Sequence, residues 1–463
     1  MPPCRLYVHN GGKFDFFFLL KHLRHGKLKL INGRIMQMRI GNAILVDSYP
    51  LLPFALSAYK KDEIDYAKFE RHCREDHKRE IVDYLIADCV YLDELVQNFK
   101  QIVGNHATIG GAAMSAMKKY GYPIWHGNES HDIRFRPFYF GGRVQAFEKG
   151  IFTGHFDYVD INAAYPYAMT FPHAHGSEYT VSNSYDGSPQ SFVRGTFISK
   201  GCLPLRDLDG TLLFPVDKVP REYLATGHEI VAGLETSTLK IVKVHDCFAP
   251  KRVLEFGGIV NEQRGRRLEA KRAGSLIEEL AYKCLSNSSY GKFAQNPALF
   301  KDWWIEPRGE PKRGWKHETD FLNLTLWSKK AEVSEKSYFD VATAASITGL
   351  VRAHLWKACK NHAIRPIYCD TDSLICGKFR AKTSETELGG WKMEMRPTKL
   401  AIAGKKLYGA SDGKKEKLAT KGVRLTFSEI ESIIKKDKVL WKKASPAYSL
   451  KSGARWIKRE IAI

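Results

Sequence analysis

Runs in which apolar and polar residues alternate predict strands at Arg5 to Val8 and Ala43 to Val46, and helical spacing predicts helices at Phe16 to Leu23 and Ile81 to Phe99. Residues 1–100 therefore read as an α/β arrangement. The stretch from His126 to Pro137 is polar, rich in His and Arg, and reads as a linker. Strands are expected from Tyr139 to about Asp160. From Pro172 to Phe256 the pattern is irregular, with β-prone pieces broken by Gly and Pro. A helix-rich block spans Val260 to Phe293. Within it Ser275-Leu276-Ile277-Glu278 has the form of a capping box, so a helix should start at Leu276. Its apolar stripe is Leu276, Leu280, Ala281, Cys284 and Leu285, and Gly291 should end it. A loop-rich stretch from Pro297 to Ser337 precedes a helix from Val341 to Lys360. Pro366-Ile367-Tyr368-Cys369 and Ser373-Leu374-Ile375-Cys376 then flank two acids, predicting a hairpin with Asp370 and Asp372 at its tip.

Those acids carry the first chemical signal. Residues i and i+2 of a strand share a face, so both carboxylates can point at one spot. Acids held together repel, and a divalent cation is the usual remedy; a solvated Asp-Thr-Asp turn is the plainer alternative. A further carboxylate lies in Phe156-Asp157-Tyr158-Val159-Asp160-Ile161, an alternating strand ending at Asp160 before Pro166 stops regular pairing. Together Asp160, Asp370 and Asp372 can hold two Mg²⁺ ions, which activate an attacking oxygen and neutralise a leaving phosphate. On the helix from Leu276, Lys283, Asn287 and Tyr290 fall at i, i+4 and i+7, away from the apolar stripe. A cation, an amide and an aromatic ring on one face suit a phosphate, a base edge and a ring. Lys271, on the preceding basic helix, is a second candidate for phosphate oxygens, and Tyr165 can pack under a sugar.

With 463 residues the chain exceeds one ordinary core and suggests roughly two to four domains. A formal net charge of +21, spread through the chain, favours a polyanionic partner, nucleic acid first. Nine cysteines without a CxxC pair indicate neither a disulfide framework nor a zinc site, and a cytoplasmic location is expected. No apolar run is long enough to predict a membrane span, and Met1-Pro2-Pro3-Cys4 does not open a signal peptide.

Asp160…Tyr165-Pro166, the stretch Lys283 to Gly291 and Tyr368-Cys369-Asp370-Thr371-Asp372-Ser373 resemble, in order, motifs A, B and C of family B DNA polymerases. Tyr139-Phe140-Gly141-Gly142 is similar to the YxGG element of the protein-primed branch found in bacteriophages, adenoviruses and linear plasmids. Lys406-Leu407-Tyr408 resembles its primer-gripping KxY element. Thr348-Gly349-Leu350-Val351-Arg352 is an imperfect version of its template-binding TxxGR element, with Val where Gly is usual. The resemblance covers nearly the whole chain. It implies that Asp160 and Asp372, with the Ile161 carbonyl, are principal metal ligands supported by Asp370. It also implies that Tyr165 is a steric gate against a 2′-hydroxyl. Lys271 and Lys283 would meet the triphosphate, and Asn287 and Tyr290 would line the nascent base pair. Tyr139, Gly141, Gly142, Thr348, Arg352, Lys406 and Tyr408 would contact DNA.

The first hundred or so residues resemble the family's proofreading domain. His9 to Asp15 looks like its second exonuclease motif, with Asn10 and Phe14 for single-stranded DNA and Asp15 for metal. Tyr84-Leu85-Ile86-Ala87-Asp88 looks like the third, and Ser48 and Lys61 match DNA-contacting positions. The first motif, Asp-x-Glu, should precede Asn10, yet none of the nine residues there is acidic. A two-metal site lacking those ligands holds metal weakly, so little or no 3′–5′ exonuclease activity is expected. The strand at Arg5–Val8 is expected to present an unpaired edge.

The expected fold is α/β and α+β multidomain: an incomplete RNase H-like exonuclease domain followed by a right-hand polymerase with palm, fingers and thumb. The expected limits are 1–125 for the exonuclease-like domain and 126–138 for the linker. The palm's first part follows at 139–256, with a terminal-protein-region insertion at about 172–256. Then come the fingers helices at 257–296, a second insertion at 297–337, the palm's second part at 338–403 and the thumb at 404–463. The resemblance implies a monomeric, Mg²⁺-dependent (or Mn²⁺-dependent) polymerase acting on primer–template DNA and dNTPs, with a terminal protein supplying the first hydroxyl. A primer-independent family B polymerase and a catalytically inactive DNA-binding relative are the alternatives.

Overall fold

The computed structural model describes residues 4–23, 26–31, 33–123, 125, 127–309, 312–333, 338–420, 423–436, 440–450 and 453–461. The expected strands Cys4–Val8 and Ala43–Asp47 form and pair in parallel, with Gly26–Ile31 and Arg34–Ile40 completing this end of the sheet. The Pro297–Ser337 stretch is not loop-rich. Lys301–Pro307, Lys316–Phe321 and Leu324–Lys330 are strands that continue the same sheet, with Trp303 registered on Leu28. Ile305, Leu324 and Leu326 face inward and join Phe16, Leu28 and Ile35 in one core. This burial is what the alternation in 301–330 serves, and it merges the expected second insertion with the exonuclease-like sheet. Cys4–Val8 lies at the sheet's edge, paired on one side only among the described residues.

The helix Lys78–Val103 buries Leu95, Val96, Phe99 and Val103 against Leu51, Leu52, Ala281 and Leu285, tying the first region to the fingers helices. The expected linker contains a helix, Glu129–Phe135, capped by the Asn128 side chain accepting from the His131 N–H at 2.8 Å. Of its polar residues His131 and Asp132 are buried, while Glu129, Ser130 and Arg134 are exposed. His131 pairs with Asp340 at 3.2 Å, and Phe135 enters an aromatic core with Phe138 and Phe192.

Residues 172–256 are also more regular than their pattern. Pro220–Thr226, Phe192–Ser199, Leu239–Pro250 and Tyr179–Ser182 form an antiparallel sheet, in that order. Helix Gly227–Glu235 is started by a capping box between Thr226 and Glu229. Helices Gly257–Arg272 and Leu276–Phe293 form the pair expected as the fingers. The second starts at Leu276 as expected, but the Ser275 side chain makes no cap bond. It passes Gly291 because Phe293 is buried and holds the last turn, and Leu276 is exposed.

The palm centres on a five-stranded antiparallel sheet ordered Trp391–Met395, Asp157–Ile161, Ser373–Phe379, Ala363–Asp370, Val144–Ala146. Behind it runs Val341–Asn361, buried along most of its length. A second sheet joins Gly150–Thr153, Lys399–Gly404, Leu407–Ser411 and Glu416–Thr420. It crosses the expected palm–thumb limit at 404. Helix Phe427–Lys436 and the hairpin Leu440–Ser449/Gly453–Ile461 follow.

Candidate active site

The acidic hairpin forms as expected: Ala363–Asp370 and Ser373–Phe379 pair antiparallel, with Asp370 opposite Ser373. Strand Asp157–Ile161 lies alongside, placing Asp160 opposite Ser373 and sending the Ile161 N–H to the Asp372 carbonyl at 2.8 Å. Asp160 and Asp372 line one cavity of about 350 Å³ together with Ile161, Tyr165, Lys283, Asn287 and Tyr290. Burial, then the charge of Asp372, push the Asp160 carboxyl up to about 7. Burial likewise raises Asp372.

Asp370 does not share that arrangement. Thr371 adopts a left-handed conformation (φ 62°), so Asp372 belongs to the turn rather than to a strand face shared with Asp370. The expected alternation is broken there. Asp370 instead accepts from Lys406 Nζ at 2.9 and 3.0 Å. Among the described residues, no cluster of three or more His, Cys, Asp or Glu has the geometry of a metal site. The site is an opposed pair of carboxylates with a third acid turned to a lysine.

Tyr165 follows the left-handed Ala163 on helix Ala164–Met169, and its ring stacks on Tyr290 at 3.9 Å and 5°. Lys283 and Asn287 are exposed on the face away from Ala281 and Leu285. An adjoining cavity of about 340 Å³ is lined by Arg264, Arg267, Lys271, Lys283 and Lys392. Arg264, Arg267 and Lys271 lie at helical spacing (i, i+3, i+7), a signal present in the sequence, from which only Lys271 was expected at the site. Lys392 and Glu394, paired at 3.3 Å, arrive through strand pairing with Asp160, and Lys417 through its influence on Asp160. No local pattern marks them.

Several expected DNA contacts lie inside the protein. Arg352 and Thr348 are each 1% exposed. The Arg352 guanidinium donates to Glu229 Oε1 (2.7 Å) and to the carbonyls of Phe140 (2.6 Å) and Gly141 (2.9 Å). Thr348 donates to the Ala345 carbonyl of its own helix. Neither side chain is available to a template. Tyr408 is buried with its hydroxyl 2.8 Å from that of Tyr158, whereas Lys406 is exposed. Tyr139 is half-buried, Gly142 sits against Thr371 of the acidic hairpin, and Gly141 offers its carbonyl to Arg352.

The exonuclease-like residues assemble in part. Lys61 Nζ donates to the Tyr66 hydroxyl at 2.5 Å, which lies 3.4 Å from that of Tyr84. Burial pushes the Tyr84 phenol up to about 12. Asp88, one helical turn on, has a buried Oδ1 with no hydrogen-bond partner. Burial also raises Asp15. Ser48 is buried against His9 at 3.1 Å, and Asn10 adopts a left-handed conformation. Phe14 packs edge-on against Phe18 and Tyr448.

A palm sheet with paired acids, a fingers helix presenting Lys283, Asn287 and Tyr290, and a basic cavity between them define a nucleotidyl-transferase fold. The family model for DNA polymerase type B, organellar and viral, matches residues 57–386. The chain is 40% identical over 443 residues to a DNA-directed DNA polymerase of Enterobacteria phage PRD1, covering 94% of this chain and 78% of that one. Solved structures of Phi29 DNA polymerase share the fold. An orthorhombic form gives a TM-score of 0.74 at 17% identity, and a complex with primer–template DNA and incoming nucleotides gives 0.71 at 18%. Each covers 100% of this chain and 91% of the other. The chain belongs to the organellar and viral type B DNA polymerases and is a DNA-directed DNA polymerase. No helix among the described residues is long and apolar enough to cross a membrane.

Proposed function

We propose that the chain extends a primer 3′-hydroxyl with dNMP units, releasing pyrophosphate, in protein-primed replication of a viral or plasmid genome. The observation that carries this reading is the opposition of Asp160 and Asp372 in one cavity with Tyr165, Lys283, Asn287 and Tyr290. Two half-buried carboxylates that repel each other form a hard-oxygen donor set, and Mg²⁺ is held by one or two carboxylates plus substrate phosphates. Asp160, Asp372 and the Ile161 carbonyl would hold it, with Asp370 in support. When bound, the metal supplies charge neutralisation at the reacting phosphate. The cations of the adjoining cavity attract and orient the triphosphate. Asn287 and Tyr290 border the incoming base, and the stacked Tyr165–Tyr290 pair closes the floor under its sugar, where a 2′-hydroxyl would collide.

The partners follow from the same site: primer–template DNA and dNTPs, the substrate classes with which Phi29 DNA polymerase forms its ternary complex. A terminal protein supplying the first hydroxyl rests on the YxGG and KxY elements. Among the described residues Asp15 and Asp88 belong to no group of three or more side chains able to hold a metal, so we expect weak 3′–5′ degradation. Primer extension by the wild type and by Asp372→Ala is the decisive comparison. Incorporation by the wild type alone supports the reading, and equal incorporation by both sinks it. Labelled dNTP joining to a candidate terminal protein, against a primer-free control, separates protein priming from unprimed initiation.

A further inference from the structure

We propose that Gly142 and Arg143 are positioning residues that set the geometry of the metal-binding turn, an inference that rests on the polymerase reading above. Only two residues, Thr371 and Asp372, span the hairpin tip, and Thr371 holds a left-handed conformation that costs a β-branched residue energy. Something must hold it there. The Thr371 N–H donates to the Arg143 carbonyl at 2.7 Å, extending the register that pairs Asp370 with Val144. From the same side Gly142 leaves no room for a side chain. A Cβ on it would lie 2.7 Å from Thr371 Cγ2, 2.8 Å from its Oγ1 and 3.0 Å from its Cβ.

The bracket is anchored elsewhere by the Arg143 side chain. It is 1% exposed and lies between the Phe214 ring at 4.0 Å and the Trp356 ring at 4.3 Å. It donates to the Gly201 carbonyl at 2.8 Å and to Gln145. Phe214 and Gly201 belong to the 172–256 region, and Trp356 to the long palm helix. The 172–256 region, the palm helix and Gln145 thus clamp the guanidinium of the residue whose backbone carbonyl pins Thr371. The direction of the Asp372 carboxylate follows from the peptide that Arg143 and Gly142 hold. Groups that orient a ligand from behind typically change metal affinity by roughly 10- to 100-fold when altered.

The test uses the full chain and two readouts: Mn²⁺ binding without DNA by electron paramagnetic resonance, and primer extension titrated with Mg²⁺. Gly142→Ala should weaken Mn²⁺ binding about tenfold and raise the half-saturating Mg²⁺ alike, leaving the dNTP KM at saturating Mg²⁺ unchanged. Adding Thr371→Gly removes all the colliding atoms and accepts the left-handed turn, so the double variant should recover most of the loss. Arg143→Met should act like Gly142→Ala. Wild-type metal affinity in Gly142→Ala, or no recovery in the double variant, overturns the proposal. Failure of the polymerase reading looks different: wild type that does not extend primers, and Asp372→Ala that binds Mn²⁺ as well as wild type.

Discussion

A guanidinium cut off from water depends on buried acceptors: Arg352 Nε and Nη1 find them in Glu229 and two loop carbonyls, while Nη2 is buried without a partner. Removing it would leave the Glu229 charge buried and partly unpaired. Arg352→Ala should therefore destabilise the fold by about 3–5 kcal/mol, read from the shift in urea midpoint. A variant as stable as wild type that bound template poorly would instead restore the DNA-contact role. Arg352→Lys recovers only part of the loss, because one ammonium cannot match the planar fork. Lys283 is the opposite case, exposed and held to no described partner by a salt bridge. Lys283→Ala should leave stability unchanged and raise the dNTP KM by roughly 10- to 100-fold, the worth of a charged hydrogen bond. Steady-state kinetics checks it, and an unchanged KM would remove Lys283 from the triphosphate site.

The helix Val341–Asn361 owes its start to one carboxylate. Asp340 accepts from the Ala342 and Thr343 N–H groups at 3.0 and 3.2 Å, and from Gly176 at 3.1 Å. His131 and His175 face it at 3.2 and 3.3 Å. Burial alone would raise this carboxyl, but the two histidines hold it well below the usual range. The cap thus fastens the helix, the 129–135 segment and the start of the 172–256 region together. Asp340→Ala should cost about 3–5 kcal/mol and speed amide exchange in residues 129–135. Unchanged exchange there would show that Phe135 packing suffices. The fingers pair shows the same logic on the outside: Arg264, Arg267 and Lys271 are set by helical spacing, and the site by where that face points.

Across the whole molecule, charge and buried histidines set the response to solvent. A net charge of +21 implies counterion release on DNA binding. Affinity for primer–template should fall about 10³- to 10⁵-fold between about 50 and 200 mM salt if six to ten phosphates are neutralised. Fluorescence anisotropy measures it, and a flat profile would point to binding without phosphate contacts. His173 and His354 are pushed down to about 4 by burial, and burial puts His228 well below its ordinary value. His173 Nε2 donates to the Ala168 carbonyl, and Ser346 bridges His173 and His228 at 2.8 and 3.2 Å, so both rings are satisfied while neutral. The unfolded chain takes up these protons near pH 6.5, whereas the folded chain resists until about 4. Stability should therefore fall as pH drops through that window, by about 1.4 kcal/mol per unit for each group. Melting temperatures across the window check it; a level profile that His173→Gln does not alter would rule it out.

Periodicity along the chain was enough to find the acidic hairpin, the fingers helix and its Lys283–Asn287–Tyr290 face, because each is built from neighbours in sequence. It missed the 129–135 helix, whose His131 is buried against a partner some two hundred positions away. It also missed the strands of 301–330, which extend the N-terminal sheet by pairing on Gly26–Ile31. Arg352 looked like a DNA contact because a basic residue in a motif carries no mark of burial. By itself the sequence determined which acids, lysines and aromatic rings were available, and at what local spacing. Only the fold decided which acids face one another. The left-handed turn at Thr371 sends Asp370 to Lys406 and Asp372 to the cavity of Asp160, since side-chain direction follows backbone dihedrals that distant contacts impose.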